Sequence, residues 1–258
     1  MYMETVYSVA FFILGTIIAS FAGVVSARLH TGQSFFRGRS RCDSCNKTLS
    51  SLDLIPIISY FFSLRRSLCC GVLISSLAPT SEILLGFLFV LAYLSLGLST
   101  ALIFMLISLS ALLALVLYDL AHQILPSSLL GIFIFTSAVT GFFMSQSLWA
   151  FLNTLGVAFL IAFFLAAIHF FSRGRALGFA DAPLAFGLAL LVGSAAFPGF
   201  VFSFWIGACV GLALLAWRPR GFRMKSEVPF APFLASGFLL AYFTQWNPFL
   251  FTAILFSH

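Results

Sequence analysis

The sequence predicts an all-α polytopic membrane protein, with about eight transmembrane helices and a small Cys-containing domain between the first and second. Three observations carry this. Apolar residues make up 62% of the 258 and charged residues only 8%, against roughly 25% charged in soluble domains. The chain holds 34 Phe, more large rings than a soluble fold of this length could hide. The mean hydropathy is +1.12, and the apolar residues are gathered into long runs.

Those runs lie near 7–27, 80–98, 100–118, 128–146, 149–171, 182–199, 201–217 and 229–256, each close to the roughly 20 apolar residues a helix needs to cross a bilayer. Where runs abut, the punctuation is Gly97 to Thr100, Gln146 to Leu148 and Pro198 to Gly199. The last run is interrupted by Gln245-Trp246-Asn247-Pro248 and is expected to end early. Glu4, rather than Lys or Arg, precedes the first run, so that run reads as a helix and not as a cleavable signal.

Charge then orients the chain. Lys and Arg concentrate in cytoplasmic loops, and positive charge begins at Arg28. The first helix is therefore expected to start outside and to deliver residues 28–79 to the cytoplasm. Eight alternating spans place 28–79, 119–127, 172–181 and 218–228 on that side, and all 13 Lys and Arg residues fall in these segments. One span more or fewer would scatter them. The net charge of +6 is thus a mark of orientation, and the partner it implies is the lipid bilayer rather than nucleic acid. Residues 1–27 form the first helix, 28–79 a polar domain, and 80–258 the membrane-embedded remainder.

Four of the five Cys, Cys42, Cys45, Cys69 and Cys70, fall in the polar domain. Their clustering suggests metal before disulfide, and a region this small gains from a metal staple. Cys209 stands in an apolar run and reads as a small buried residue. Of the seven acids, Glu82, Asp119 and Asp181 lie at predicted cytoplasmic helix ends. A carboxylate near hydrocarbon is costly and suggests function. Two of them together would share one proton, so that one carboxyl stays neutral while the other deprotonates a water attacking a peptide carbonyl. The alternative is helix-end chemistry: Asp181 before Ala182-Pro183 reads equally as an N-cap. Glu82 reads also as a partner of its helix dipole, and His122 and His169 as packed or interfacial imidazoles.

With these residues in view, the chain resembles the prepilin peptidases, or type IV leader peptidases, which are GxGD-type membrane aspartyl proteases. Asp119-Leu120-Ala121-His122-Gln123-Ile124-Leu125-Pro126 is similar to the family's helix-ending Asp with its following Leu-Pro, and Gly178-Phe179-Ala180-Asp181 stands where the GxGD motif does. Ser20-Phe21 through Arg28-Leu29, Arg41-Cys42-Asp43-Ser44-Cys45, Asp53-Leu54-Ile55-Pro56, Ser59-Tyr60, Pro79 to Gly86 and Pro229 to Gly237 also match in order. The resemblance implies Asp119 and Asp181 as the catalytic acids, with Gly178, Ala180, Pro126 and Glu82 in support and no cofactor needed for peptide cleavage. It implies a bacterial inner-membrane enzyme that cuts prepilin or pseudopilin leaders at the cytoplasmic boundary. N-methylation of the new terminus from S-adenosylmethionine is associated with the family's cytoplasmic domain.

The chain departs from the family in three places. The second CxxC pair, aligned on Cys70, has Ser67 where Cys is expected, with Cys69 next door. A zinc site of Cys42, Cys45, Cys70 and Cys69 stands beside a metal-free loop as the two readings, since adjacent Cys are awkward ligands for one ion. Ala180 replaces the GxGD glycine, and Pro183 stands where relatives often have Lys. Two other functions stay open: a transporter, which predicts repeats or discontinuous helices around a midplane site, and a homologue that binds pilins without cutting them.

Overall fold

A computed structural model describes residues 2–29, 45, 47–48, 69–72, 76–175, 177–217 and 229–246. Their regular structure is helical: α1 (Tyr2–Arg28), α2 (Leu77–Leu96), α3 (Thr100–His122), α4 (Ser127–Met144), α5 (Leu148–Ser172), α6 (Asp181–Val192), a 3-10 turn (Gly193–Ala195), α7 (Ala196–Trp217) and α8 (Ala231–Thr244). Among the described residues six stretches are long and apolar enough to cross a bilayer, the sixth being 181–217, which holds α6, the 3-10 turn and α7, and α8 is a shorter apolar helix. Phe163, Phe170, Phe171 and Trp217 are each at least three-quarters exposed, which suits contact with lipid tails and not with water. The chain is a multi-pass membrane protein.

The helix ends follow local chemistry. α2 closes at Gly97, and Ser99 caps α3 by accepting from the Leu102 N–H at 3.2 Å. Ser147 caps α5 in the same way, accepting from Ala150 at 3.2 Å. These are the two boundaries expected at Gly97–Thr100 and Gln146–Leu148.

The third expected boundary lies elsewhere. The chain does not turn at Pro198–Gly199, both of which lie inside the first turn of α7, where Pro needs no N–H partner. Instead it breaks at Gly193, whose φ is 62°, a conformation glycine adopts without a Cβ clash. Ring contacts show that the direction reverses there. His169 meets Phe179 and Phe159 meets Phe186, so α6 runs back along α5, but Phe200 then meets Phe164, nearer the C-terminal end of α5. A straight helix from Phe186 to Phe200 would have moved on by about 21 Å. With 12 residues, α6 is about 18 Å long and does not span the roughly 30 Å hydrocarbon layer alone.

The described residues fall into two compact units, 1–98 with 109–117, and 99–108 with 118–258. In the first, α1 and α2 run antiparallel, with Gly15 against Gly86 so closely that a Cβ on Gly15 would come within 2.8 Å of the Gly86 Cα. Phe11 stacks on Tyr93, and Phe12 meets Phe87 edge-on. Small residues are how helices approach when lipid supplies no hydrophobic drive between them.

In the second unit, α7 and α8 repeat that device. Gly237 lies directly on the Ser203 backbone, and Gly199 on the Phe238 Cα. The Ser203 hydroxyl donates to Gly199 O at 2.8 Å and to Leu234 O at 3.2 Å, tying the two helices. Between α3 and α4 the Ser108 hydroxyl donates to Thr136 Oγ1 at 2.8 Å. Buried hydroxyls must find such partners where no water reaches. Cys209, expected to be buried, is exposed on α7; an apolar run faces lipid as readily as protein, so the sequence could not choose its side.

Candidate active site

Asp119 sits in the last turn of α3, which continues to His122 and ends at Gln123 with φ 56°. The following segment, with Leu125 and Pro126 buried, leads into α4; Pro126 is its N-cap, and its carbonyl accepts from Leu130 at 3.0 Å. Pro126 thus sets the start of the next helix rather than touching the acids. His122 packs its ring on Tyr118, 4.4 Å between centroids, as expected of a packed imidazole.

Asp181 opens α6. It is the first helical residue, Ala180 is the N-cap, and no side chain caps this helix. Asp181 therefore does not serve its own helix as an N-cap. Its Oδ2 reaches back to accept from the Gly178 N–H at 3.0 Å, while its own N–H donates to Gly178 O at 3.3 Å. Ala180 has φ −70° and ψ −14°, which any L-residue adopts, so the missing GxGD glycine costs no backbone strain here. Pro183, third in the helix, falls among positions whose N–H is unpaired in any case.

The fold brings the two acids to one end of the same unit. Each is only 7% exposed, and they are near enough for their charges to repel one another. The Oδ2 of Asp119 is buried with no hydrogen-bond partner among the described residues. The backbone amide of Ala231, the first residue of α8, lies in reach of the same carboxyl. Helix starts present free N–H groups to anions. The sequence pattern marks Pro229 to Gly237 but assigns none of its residues to the acids; the available signal is Pro232 in the first turn, which announces a helix start with exposed amides. Such a pair can hold one proton and orient one water between a neutral and an ionised carboxyl.

Glu82 is also buried, 7% exposed, but lies in the second turn of α2, past the first-turn amides a dipole partner would face, and in the other unit. The broken helix at 193–195 has the discontinuity a transporter would need, yet Gly193, Ser194 and Ala195 carry no titratable group.

In the polar domain, the Sγ atoms of Cys45, Cys69 and Cys70 all lie within 4.8 Å of one another. Cys45 and Cys69 are 3.2 Å apart, Cys69 and Cys70 3.8 Å. Neighbouring thiolates around one tetrahedral zinc stand roughly 3.8 Å apart, so this set fits such an ion with small adjustments. The adjacent pair, expected to be awkward ligands, converges, and Cys69 is the one that meets Cys45. Cys42, Ser67 and most of 28–79, to which methyl transfer was referred, lie outside the described residues.

Fold and site together define a multi-pass membrane protein with a buried acid pair at one end of its helices. Residues 13–96 match the family model of the bacterial peptidase A24 N-terminal domain. A prepilin leader peptidase/N-methyltransferase of Bacillus subtilis (strain 168) is 31% identical over 238 residues, covering 90% of this chain and 92% of that protein. One of Dickeya chrysanthemi is 30% identical over 89% of this chain and 90% of its own length. One of Myxococcus xanthus (strain DK1622) is 38% identical over 50% of this chain and 38% of its own. No solved structure matches the chain. The chain belongs to the prepilin leader peptidase/N-methyltransferase family, a family of peptidases.

Proposed function

We propose that this protein is an aspartyl endopeptidase that removes the leader of a prepilin or pseudopilin, with Asp119 and Asp181 as its two acids. The observation that carries the reading is that these two buried carboxyls, distant in sequence, lie in one unit within electrostatic reach of each other. In a site of low dielectric two such charges cannot both be held, so one carboxyl keeps a proton. The ionised partner takes a proton from water as it attacks the scissile carbonyl. The protonated one donates to the carbonyl oxygen, and a proton then passes to the leaving amine. The Gly178 amide holds the Asp181 carboxyl in place for both steps.

The charge pattern supports a bacterial inner-membrane location with the N-terminus outside and the acids facing the cytoplasm, because Arg173 and Arg175 occupy the loop that leads to Asp181. A substrate with a basic leader followed by an apolar helix would present its junction at that boundary. Incubating membranes with such a prepilin tests the reading. D119N and D181N should each lower cleavage by more than about a thousandfold, with the protein still accumulating in the membrane; processing retained by either variant rejects the dyad.

We also assign Cys45, Cys69 and Cys70 to a structural zinc, with no step of peptide cleavage routed through it. Purified protein should carry about one zinc per chain, reduced severalfold in C69S. Wild-type protein free of zinc would refute the assignment.

A further inference from the structure

The turn that holds Asp181 is itself tied down by a residue the peptidase chemistry does not use. His169 lies in the last turn of α5, and its Nδ1 is 2.8 Å from the carbonyl oxygen of Leu177. A carbonyl only accepts, so Nδ1 carries the proton and donates. The next residue, Gly178, supplies the N–H that Asp181 Oδ2 accepts. The imidazole thus stands two links from the carboxylate: ring to Leu177 carbonyl, then along one residue to the Gly178 amide.

Gly174 and Phe179 flank the ring. Gly174, with φ 73°, folds over it and donates its N–H to the His169 carbonyl at 2.9 Å. A Cβ on Gly174 would stand 3.3 Å from the His169 Cε1. Phe179 meets the imidazole edge-on, 5.6 Å between centroids at 67°. The ring is thereby bounded by the two ends of the turn it spans. A loop held only by its own backbone would let the Gly178 amide swing away from the carboxylate; a ring tied to Leu177 and flanked by Gly174 and Phe179 restricts that movement.

We propose that His169 is a positioning residue for Asp181, its Nδ1–H bond to the Leu177 carbonyl holding the Gly178 amide where it fixes the carboxylate. The proposal rests on the peptidase reading for its kinetic consequence but not for its structural one.

The experiment therefore measures both, on detergent-purified full-length protein. An Asn side chain places its amide N–H close to the position of Nδ1, whereas Gln places it nearer Nε2. H169A should speed hydrogen exchange in the peptide carrying residues 177–181 and lower kcat by at least about tenfold with KM within about twofold. H169N should restore slow exchange and most of kcat; H169Q should behave like H169A. Unchanged exchange in H169A, or equal rescue by Asn and Gln, overturns the tie. Exchange that responds as expected while kcat stays at the wild-type level overturns the positioning role. If wild-type protein cuts no prepilin, the peptidase reading fails and with it the kinetic role, and exchange alone then decides the tie. Thermal unfolding of each variant identifies misfolding. Where H169A misfolds, the contrast between H169N and H169Q, which differ chiefly in where the N–H sits, decides the tie in its place.

Discussion

Asp119 and Asp181 reach the same end of one unit by different means. Asp119 is carried by a long helix and approached by the start of another, so its position depends on how α3 and α8 are placed. Asp181 is held by its own neighbourhood, through Gly178 three residues before it and the turn anchored to His169. One acid is placed by tertiary packing and the other by local hydrogen bonds. Under the proposed mechanism the pair shares a proton and needs both positions accurate to a fraction of an ångström, so the two supports should fail differently when disturbed.

The largest disturbance strikes the packing that carries α8. Gly237 lies on the Ser203 backbone, and no rotamer of a large side chain avoids that contact. G237L should destabilise the protein by about 3 kcal/mol or more, read as a large fall in Tm in detergent and loss of cleavage together. G156L is the control, since nothing stands within 4 Å of a Cβ there. A G237L protein as stable as wild type would refute the close α7–α8 crossing.

Disturbing the local support should be milder and confined to activity. G178P removes the N–H that Asp181 accepts, and a hydrogen bond to a charged group is worth about 1.5–3 kcal/mol, so kcat should fall by about 10- to 100-fold. Tm should barely move, because the residue is exposed at a helix start. Activity equal to wild type would show that the Gly178 amide plays no part.

The smallest effect is expected where the family pattern is broken. Ala180 already sits in the right-handed helical region, so A180G, which restores GxGD, should change kcat by less than about twofold. A large gain would mean that the glycine serves close approach of substrate and not backbone shape.

Much of the candidate site was legible as residues but not as an arrangement. Asp119 and Asp181 stood out because charge is so scarce in the chain, and Gly178 because of the motif that ends at Asp181. The Ala231 amide was hidden, since a backbone N–H has no letter in the sequence. His169 could be read only as packed or interfacial, for nothing in its spacing points to Leu177. Cys69 looked like a misplaced neighbour of Cys70, and only folding shows it as the nearer partner of Cys45.

What the sequence determined by itself is the solvent and the helices. Composition places the chain in lipid, and Ser99 and Ser147 mark helix starts whose chemistry is local. The tertiary structure decided where the chain reverses, Gly193 rather than Pro198–Gly199, and which side of α7 carries Cys209. Both decisions lie inside continuous apolar stretches. There hydropathy is uniform, and only close packing, such as Gly199 against Phe238 and Gly237 against Ser203, distinguishes one register from another. α8 also packs against α6, and two acids far apart in the chain lie in one unit, within electrostatic reach of each other.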